Sequence, residues 1–438
     1  MAPTRPWILL TALLLPLSLP AAALTPRELD RIPLHVLSPE ALDAVRAVQP
    51  PPAKHRPPSL ALSVPMSLGL EDGVWSEQGD VAVWRARISS VGATLILAAF
   101  DRFDLPPGAQ LRIRDPSGIA VQGPYTRADR TPEGGLWTAM VPGEEALIDL
   151  QVPVAERDAV DLRLASLGHG VLGLSREGVV EPRASSSCNI DVVCPQGNDW
   201  RDQIRSVVNL QIPSGGLSGT VTLCSGQLVN TTAQDDRPYI LTAKHCGVSN
   251  ANAANVVAYF NFQTTSCGGT PNGSLTQTRN GATHLFSHSG SDHTLLRLNS
   301  APPSNYNVYL SGFDASATAL PASGISLHHP TGAEKRISVF GNAASKQAVC
   351  LESGGLLGVG CLTGTTVSAF RVFWSQGVTE QGSSGGGLWN QSQRLVGVLS
   401  GGSSSCTNPG GEDNFGRLHV AWDAGLGGLL DPAGTGAR

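Results

Sequence analysis

Cysteine is missing from the first 187 residues of this 438-residue chain, and the eight that follow, from Cys188 to Cys406, include no Cys-x-x-Cys pair. That spacing excludes a zinc site of close cysteine pairs and favours disulfides formed in an oxidising compartment. Charge is sparse as well: 15% of residues carry it, the formal net value is −5, and there is no basic block. The footprint that tracks a phosphate backbone is therefore lacking, which argues against nucleic acid as a partner. No H-E-x-x-H occurs, and adjacent histidines such as His328 and His329 on a strand point to opposite faces. They read as structural, with no metal and no cofactor expected. Long helical patterns are scarce, whereas 50 glycines and 31 prolines punctuate the chain. Strands joined by many turns, an all-β architecture, follow from that balance.

Only the N-terminus has a long apolar run. Arg5 is followed by an apolar stretch from Trp7 to Leu19 and then by Ala21, Ala22 and Ala23. This has the form of a signal peptide over residues 1–23, too short and proline-interrupted for a membrane anchor, so a secreted protein is expected. Residues 24–183 begin with a proline-rich lead (Pro50, Pro51, Pro52) and continue with period-two runs. Trp84, Ala86 and Ile88 alternate with Arg85 and Arg87, Leu111 and Ile113 with Arg112 and Arg114, and Ile148, Leu150 and Val152 with Asp149 and Gln151. One face on a core and one in water predicts a β-sandwich-like domain. The aperiodic stretch LSREGVVEPRASSSC then offers Arg176 and Arg183. Cleavage after Arg183 would make residues 24–183 a propeptide and 184–438 the mature chain.

Three groups in the cysteine-bearing part carry chemistry. His245 follows the apolar Tyr239-Ile240-Leu241 and precedes Cys246, so a disulfide would pin it where a loop leaves a strand, as a general base requires. Ser384 lies in Gly382-Ser383-Ser384-Gly385-Gly386, where glycines allow a tight bend and could present the Gly382 and Ser384 amides as an oxyanion hole. Asp292, opening the run SDHTLLRL, is the preferred third member of a Ser-His-Asp triad, with Asp235, Asp236 and Asp314 as rivals. Ser383 stands where a carboxylate would be needed to pair with a freed N-terminal amine. Activation by insertion of a new N-terminus is therefore not expected.

The motifs CNIDVVCP, CSGQLVN, LTAKHCG, DHTLLRLN, HHPTGAEKRIS, GVTEQGSSGG and NFGR together resemble the bacterial lysyl endopeptidases, within the trypsin/chymotrypsin-like serine proteases. The likeness runs over residues 184–438. It implies a chymotrypsin-like double six-stranded β-barrel and disulfides Cys188–Cys406, Cys194–Cys267 and Cys224–Cys246, leaving Cys350 and Cys361 to close a local loop. It implies polypeptide substrates cut after Lys, and possible acceptance of Arg, by a monomer whose other partner is its own propeptide. Val378 occupies the usual position of the pocket carboxylate, so the resemblance transfers that role to Asp413, with Glu380 and Glu412 as competitors. Ser400 replaces a histidine that relatives carry beside the pocket, Lys244 replaces an alanine, and residues 341–361 do not align cleanly. The backbone of Leu399 to Gly402, including Ser400, Gly401 and Gly402, is expected to pair with substrate as an added strand. The alternative is a secreted non-catalytic binding protein that keeps the protease fold.

Overall fold

A computed structural model describes residues 24–47, 57–172, 188–351 and 364–438. The signal-peptide region, Arg176, Arg183 and Cys361 lie outside the described residues.

The three alternating runs of the N-terminal part lie side by side in one sheet, and a second sheet packs against it. In one, Val81–Ser89 and Glu145–Pro153 pair antiparallel along their whole length, flanked by Leu34–Val36, Val74–Gln78, Gln110–Arg114 and Val121–Tyr125. In the other, Ser59–Leu68, Asp161–Gly170 and Leu95–Asp104 lie side by side. Trp84, Ala86, Ile88, Leu111, Ile113, Ile148 and Leu150 all enter the core between them. The opposite face departs from the expected water-facing row. Arg114, Asp149 and Gln151 are buried, because Asp149 on the central strand accepts a hydrogen bond from Arg85 Nε at 3.0 Å and draws in Arg114.

The cysteine-bearing part folds as two further strand systems. The first runs Val257–Phe260, Val207–Ser214, Thr220–Val229, Tyr239–Ala243, His293–Leu298 and Ala282–His288. Only Gly281 separates Ala282–His288 from Thr278–Asn280, which pairs with Val257–Phe260, so the sheet curls round and nearly closes into a barrel. The second is an eight-stranded sheet ordered Ile190–Asp191, Arg336–Phe340, Gly324–His328, Gly387–Asn390, Leu395–Gly402, Glu412–Arg417, Thr365–Phe373 and Ser345–Leu351. Strand alternation in both fills a shared apolar core that runs from Leu210 and Leu241 to Trp389 and Val398. Few helices interrupt this all-β body, and among the described residues none is long and apolar enough to cross a membrane.

Disulfides join Cys188 to Cys406, Cys194 to Cys267 and Cys224 to Cys246. Cys350 is also disulfide-bonded.

Candidate active site

Strand register brings His245 and Asp292 together. Tyr239–Ala243 and His293–Leu298 pair with Ala243 opposite His293, so the residues just past each paired end face one another. Asp292 adopts a left-handed conformation (φ 55°). Its Oδ1 accepts the His245 backbone N–H at 2.9 Å, and its Oδ2 lies 2.7 Å from His245 Nδ1. A carboxylate can only accept, so Nδ1 carries the proton and Nε2 is left with a lone pair. Among the described residues Nε2 has no hydrogen-bond partner. Burial acts to lower the His245 pKa, but the charge and hydrogen bond of Asp292 outweigh it and raise the value above 6.5. Burial pushes Asp292 up, and His245 more than offsets this, holding the carboxyl below its ordinary value. The Ser400 hydroxyl helps hold it down, though its geometry falls short of a hydrogen bond.

Ser384 is seated against the first barrel. Its C=O accepts the Ser225 N–H at 2.8 Å, and Cys246 Sγ, one residue beyond His245, lies 3.9 Å from the same oxygen. The Ser225 hydroxyl donates to the Gly382 C=O at 3.0 Å and accepts the His329 N–H at 2.8 Å, which fastens the loop a second time. Gly385 has φ +81°, and a Cβ there would drive into the Ser225 carbonyl, so glycine is required.

The amides of this loop are oriented by their neighbours. The Gln381 C=O accepts the Thr331 N–H at 2.5 Å, and the Ser383 C=O accepts the Gly386 N–H at 2.9 Å. In a trans peptide the N–H points opposite to the C=O. The Gly382 and Ser384 N–H groups are therefore turned away from those contacts, and among the described residues neither donates to a protein acceptor. Together they can hold a developing oxyanion. Ser383 pairs its hydroxyl with His328 Nδ1 at 2.8 Å and accepts the Glu380 N–H at 3.1 Å.

Asp413 is buried. Its Oδ2 accepts from Thr379 Oγ1 at 2.8 Å and from Trp374 Nε1 at 2.5 Å. The strand register sets it opposite Gly402, where any Cβ would collide with the carboxylate. The rival acids face elsewhere: Glu380 accepts from Asn189 Nδ2 and Glu412 from Ser403 Oγ. Ser400 is buried with its side chain toward Asp292, so only its backbone is placed to meet a ligand, while Gly401 and Gly402 are partly or fully exposed.

A model of the lysyl endopeptidase C-terminal domain matches residues 183–416. The chain belongs to the lysyl endopeptidase family. A lysyl endopeptidase of Pseudomonas aeruginosa is 29% identical over 321 residues, which cover 70% of this chain. This lysyl endopeptidase family member spans 63% of that relative's length. Similar solved structures include the Rv3671c protease from M. tuberculosis in its active form, 18% identical, covering 59% of this chain and 95% of that one with a TM-score of 0.36. The HtrA-type protease AlgW with tripeptide is 14% identical, covering 53% of this chain and 62% of that one at 0.34.

Sequence reasoning in this family member did not single out Ser225, Thr331, Trp374 or Thr379. Ser225 directly follows a disulfide cysteine beside the histidine motif, which is a usable signal. Thr331 acts through its backbone, which leaves no mark on residue type.

Proposed function

We propose that this chain is a secreted serine endopeptidase that hydrolyses peptide bonds on the carboxyl side of Lys, with Arg as a further candidate, with residues 1–23 as signal peptide, 24–183 as propeptide and 184–438 as the protease. The observation that carries the reading is Asp292 giving both carboxylate oxygens to His245 while, among the described residues, the Gly382 and Ser384 amides donate to no protein acceptor. His245 Nε2 takes the proton as Ser384 Oγ attacks the scissile carbonyl. The oxyanion is received by the two amides, and His245 returns the proton to the leaving amine. Water then releases the acyl group by the same steps in reverse. Asp292 keeps the imidazole in the required tautomer and stabilises its charged form. The backbone of Leu399 to Gly402 aligns the acyl side of the substrate as an added strand.

A cationic side chain reaching past Gly401 and Gly402 meets Asp413, whose desolvated carboxylate rewards it with a charge-assisted hydrogen bond. Cleavage of a peptide library tests the whole reading. Cuts after Lys or Arg that Asp413→Asn weakens by about 100-fold or more, as expected when a buried charge pair loses one partner, support it. Cuts elsewhere remove Asp413 from specificity. Absence of both cutting and Ser384 labelling by a fluorophosphonate sinks the enzyme.

A further inference from the structure

The Ser59–Leu68 strand of the N-terminal domain does not end at its own sheet. It pairs with Thr220–Val229 of the first barrel, setting Leu62 opposite Thr220 and Ala61 opposite Val221. The Ser63 N–H donates to the Gly219 C=O at 2.9 Å, and the Leu223 N–H donates to the Pro58 C=O at 3.1 Å. Behind this edge the two parts share one apolar cluster, with Leu60, Trp137 and Met140 packed among Leu223, Tyr259 and Phe262. Buried polar bonds cross the same boundary: the Met140 N–H donates to the Tyr259 hydroxyl at 2.8 Å, and Gln211 Nε2 to the Thr138 C=O at 3.0 Å.

The position of this junction matters because of Ser225. Alternate residues of a strand present their N–H groups to the same side, so Leu223 and Ser225 face one edge about 7 Å apart. The Ser225 N–H holds the backbone of Ser384, and the next edge position is taken by Pro58. On the other side of Ser384, the Gly385 N–H is bonded to the Leu399 C=O, where the strand proposed for the acyl side begins. A polypeptide that follows that strand and crosses Ser384 must continue along the Leu223 edge, which the N-terminal domain already occupies.

We propose that residues 57–172 are a docked inhibitory domain that covers the leaving-group side of the cleft and leaves the nucleophile and the Asp413 pocket open. This rests on the protease reading given above. The domain admits substrates with little chain beyond the scissile bond and refuses extended polypeptides. Cutting the linker alone does not release it, since strand pairing and a common core hold it.

Two experiments on the full chain test this, with Arg176→Gln and Arg183→Gln to prevent self-processing. The first compares two peptides identical up to a lysine, one followed by a single glycinamide and one by four residues. The longer peptide is expected to show kcat/KM lower by about tenfold or more. Equal or faster cleavage of the longer peptide overturns the proposal, as does labelling of Ser384 by a fluorophosphonate with neither peptide cleaved, which would mean a complete block. Failure of labelling sinks the protease reading itself and the covering with it. The second adds Ser384→Ala and a site for an unrelated protease between Leu172 and Cys188. After cutting, the two pieces are expected to co-elute in gel filtration, and separate elution overturns the docking whatever the activity.

Discussion

The hydrogen bond that His245 Nδ1 donates to Asp292 sets how the site responds to acid. The proposed role of His245 as general base needs its Nε2 lone pair, so activity is expected to fall as the ring is protonated. Because Asp292 outweighs burial and raises the ring's pKa, the acid limb of kcat/KM is expected above pH 6.5. Replacing Asp292 with Asn removes the charge that raises it and leaves burial to act alone, so the limb moves to lower pH while kcat falls about 10⁴-fold. A pH–rate profile of both forms checks this, and a limb that does not move would detach Asp292 from His245. The same pair has a stability signature of opposite sense at its two members. The raised His245 stabilises fully below about pH 6.5 and loses that contribution as pH rises through its folded value. The lowered Asp292 stabilises fully above about pH 3.8 and loses it as pH falls through its folded value.

The loop that carries Ser384 owes its shape to neutral contacts. Ser383 is fully buried, its hydroxyl shared between His328 and the Glu380 N–H. Burial pushes His328 down to about 3, so this link stays uncharged across the working range and asks for no ammonium partner. Extending the processed N-terminus by one residue is therefore expected to leave kcat/KM within about twofold, since no binding term of the transition state changes. A loss of a hundredfold or more in that assay would mean the terminus is inserted after all. The contact between His245 and Asp292 and the tight glycine turn at Ser384 were legible in the sequence because each lies in a local motif of telling residue types, and the catalytic roles proposed above rest on that geometry. The burial of Asp413 was not legible from its neighbours, since a loop carboxylate next to Glu412 looks solvated until the strand register buries it. Thr331 was illegible: its contribution is one backbone N–H, and any residue but proline supplies that.

The alternation in residues 81–152 disclosed one sheet with a buried face, but the junction between the two parts was hidden. Ser59–Leu68 is buried from Leu60 through Val64 on both faces, the mark of a central rather than an edge strand. Its second partner lies some 160 residues on, too far for any local period to reveal. Once that pairing exists, the first barrel and the N-terminal domain share a core, because Trp137 of one packs in the same cluster as Tyr259 and Phe262 of the other. Trp137 is 7% exposed, so truncation to Ala should cost about 3–5 kcal/mol. That cost should be felt across the boundary. In Trp137→Ala, amide hydrogen exchange is expected to quicken not only in Leu95–Asp104, which pairs with Trp137, but also in Val207–Ser214 and Thr220–Val229. The readout needs no catalysis, so it stands apart from the protease assignment. Acceleration confined to residues 57–172 would mean that the two parts merely touch, and that the strand pairing at Val221 contributes little to the stability of the barrel.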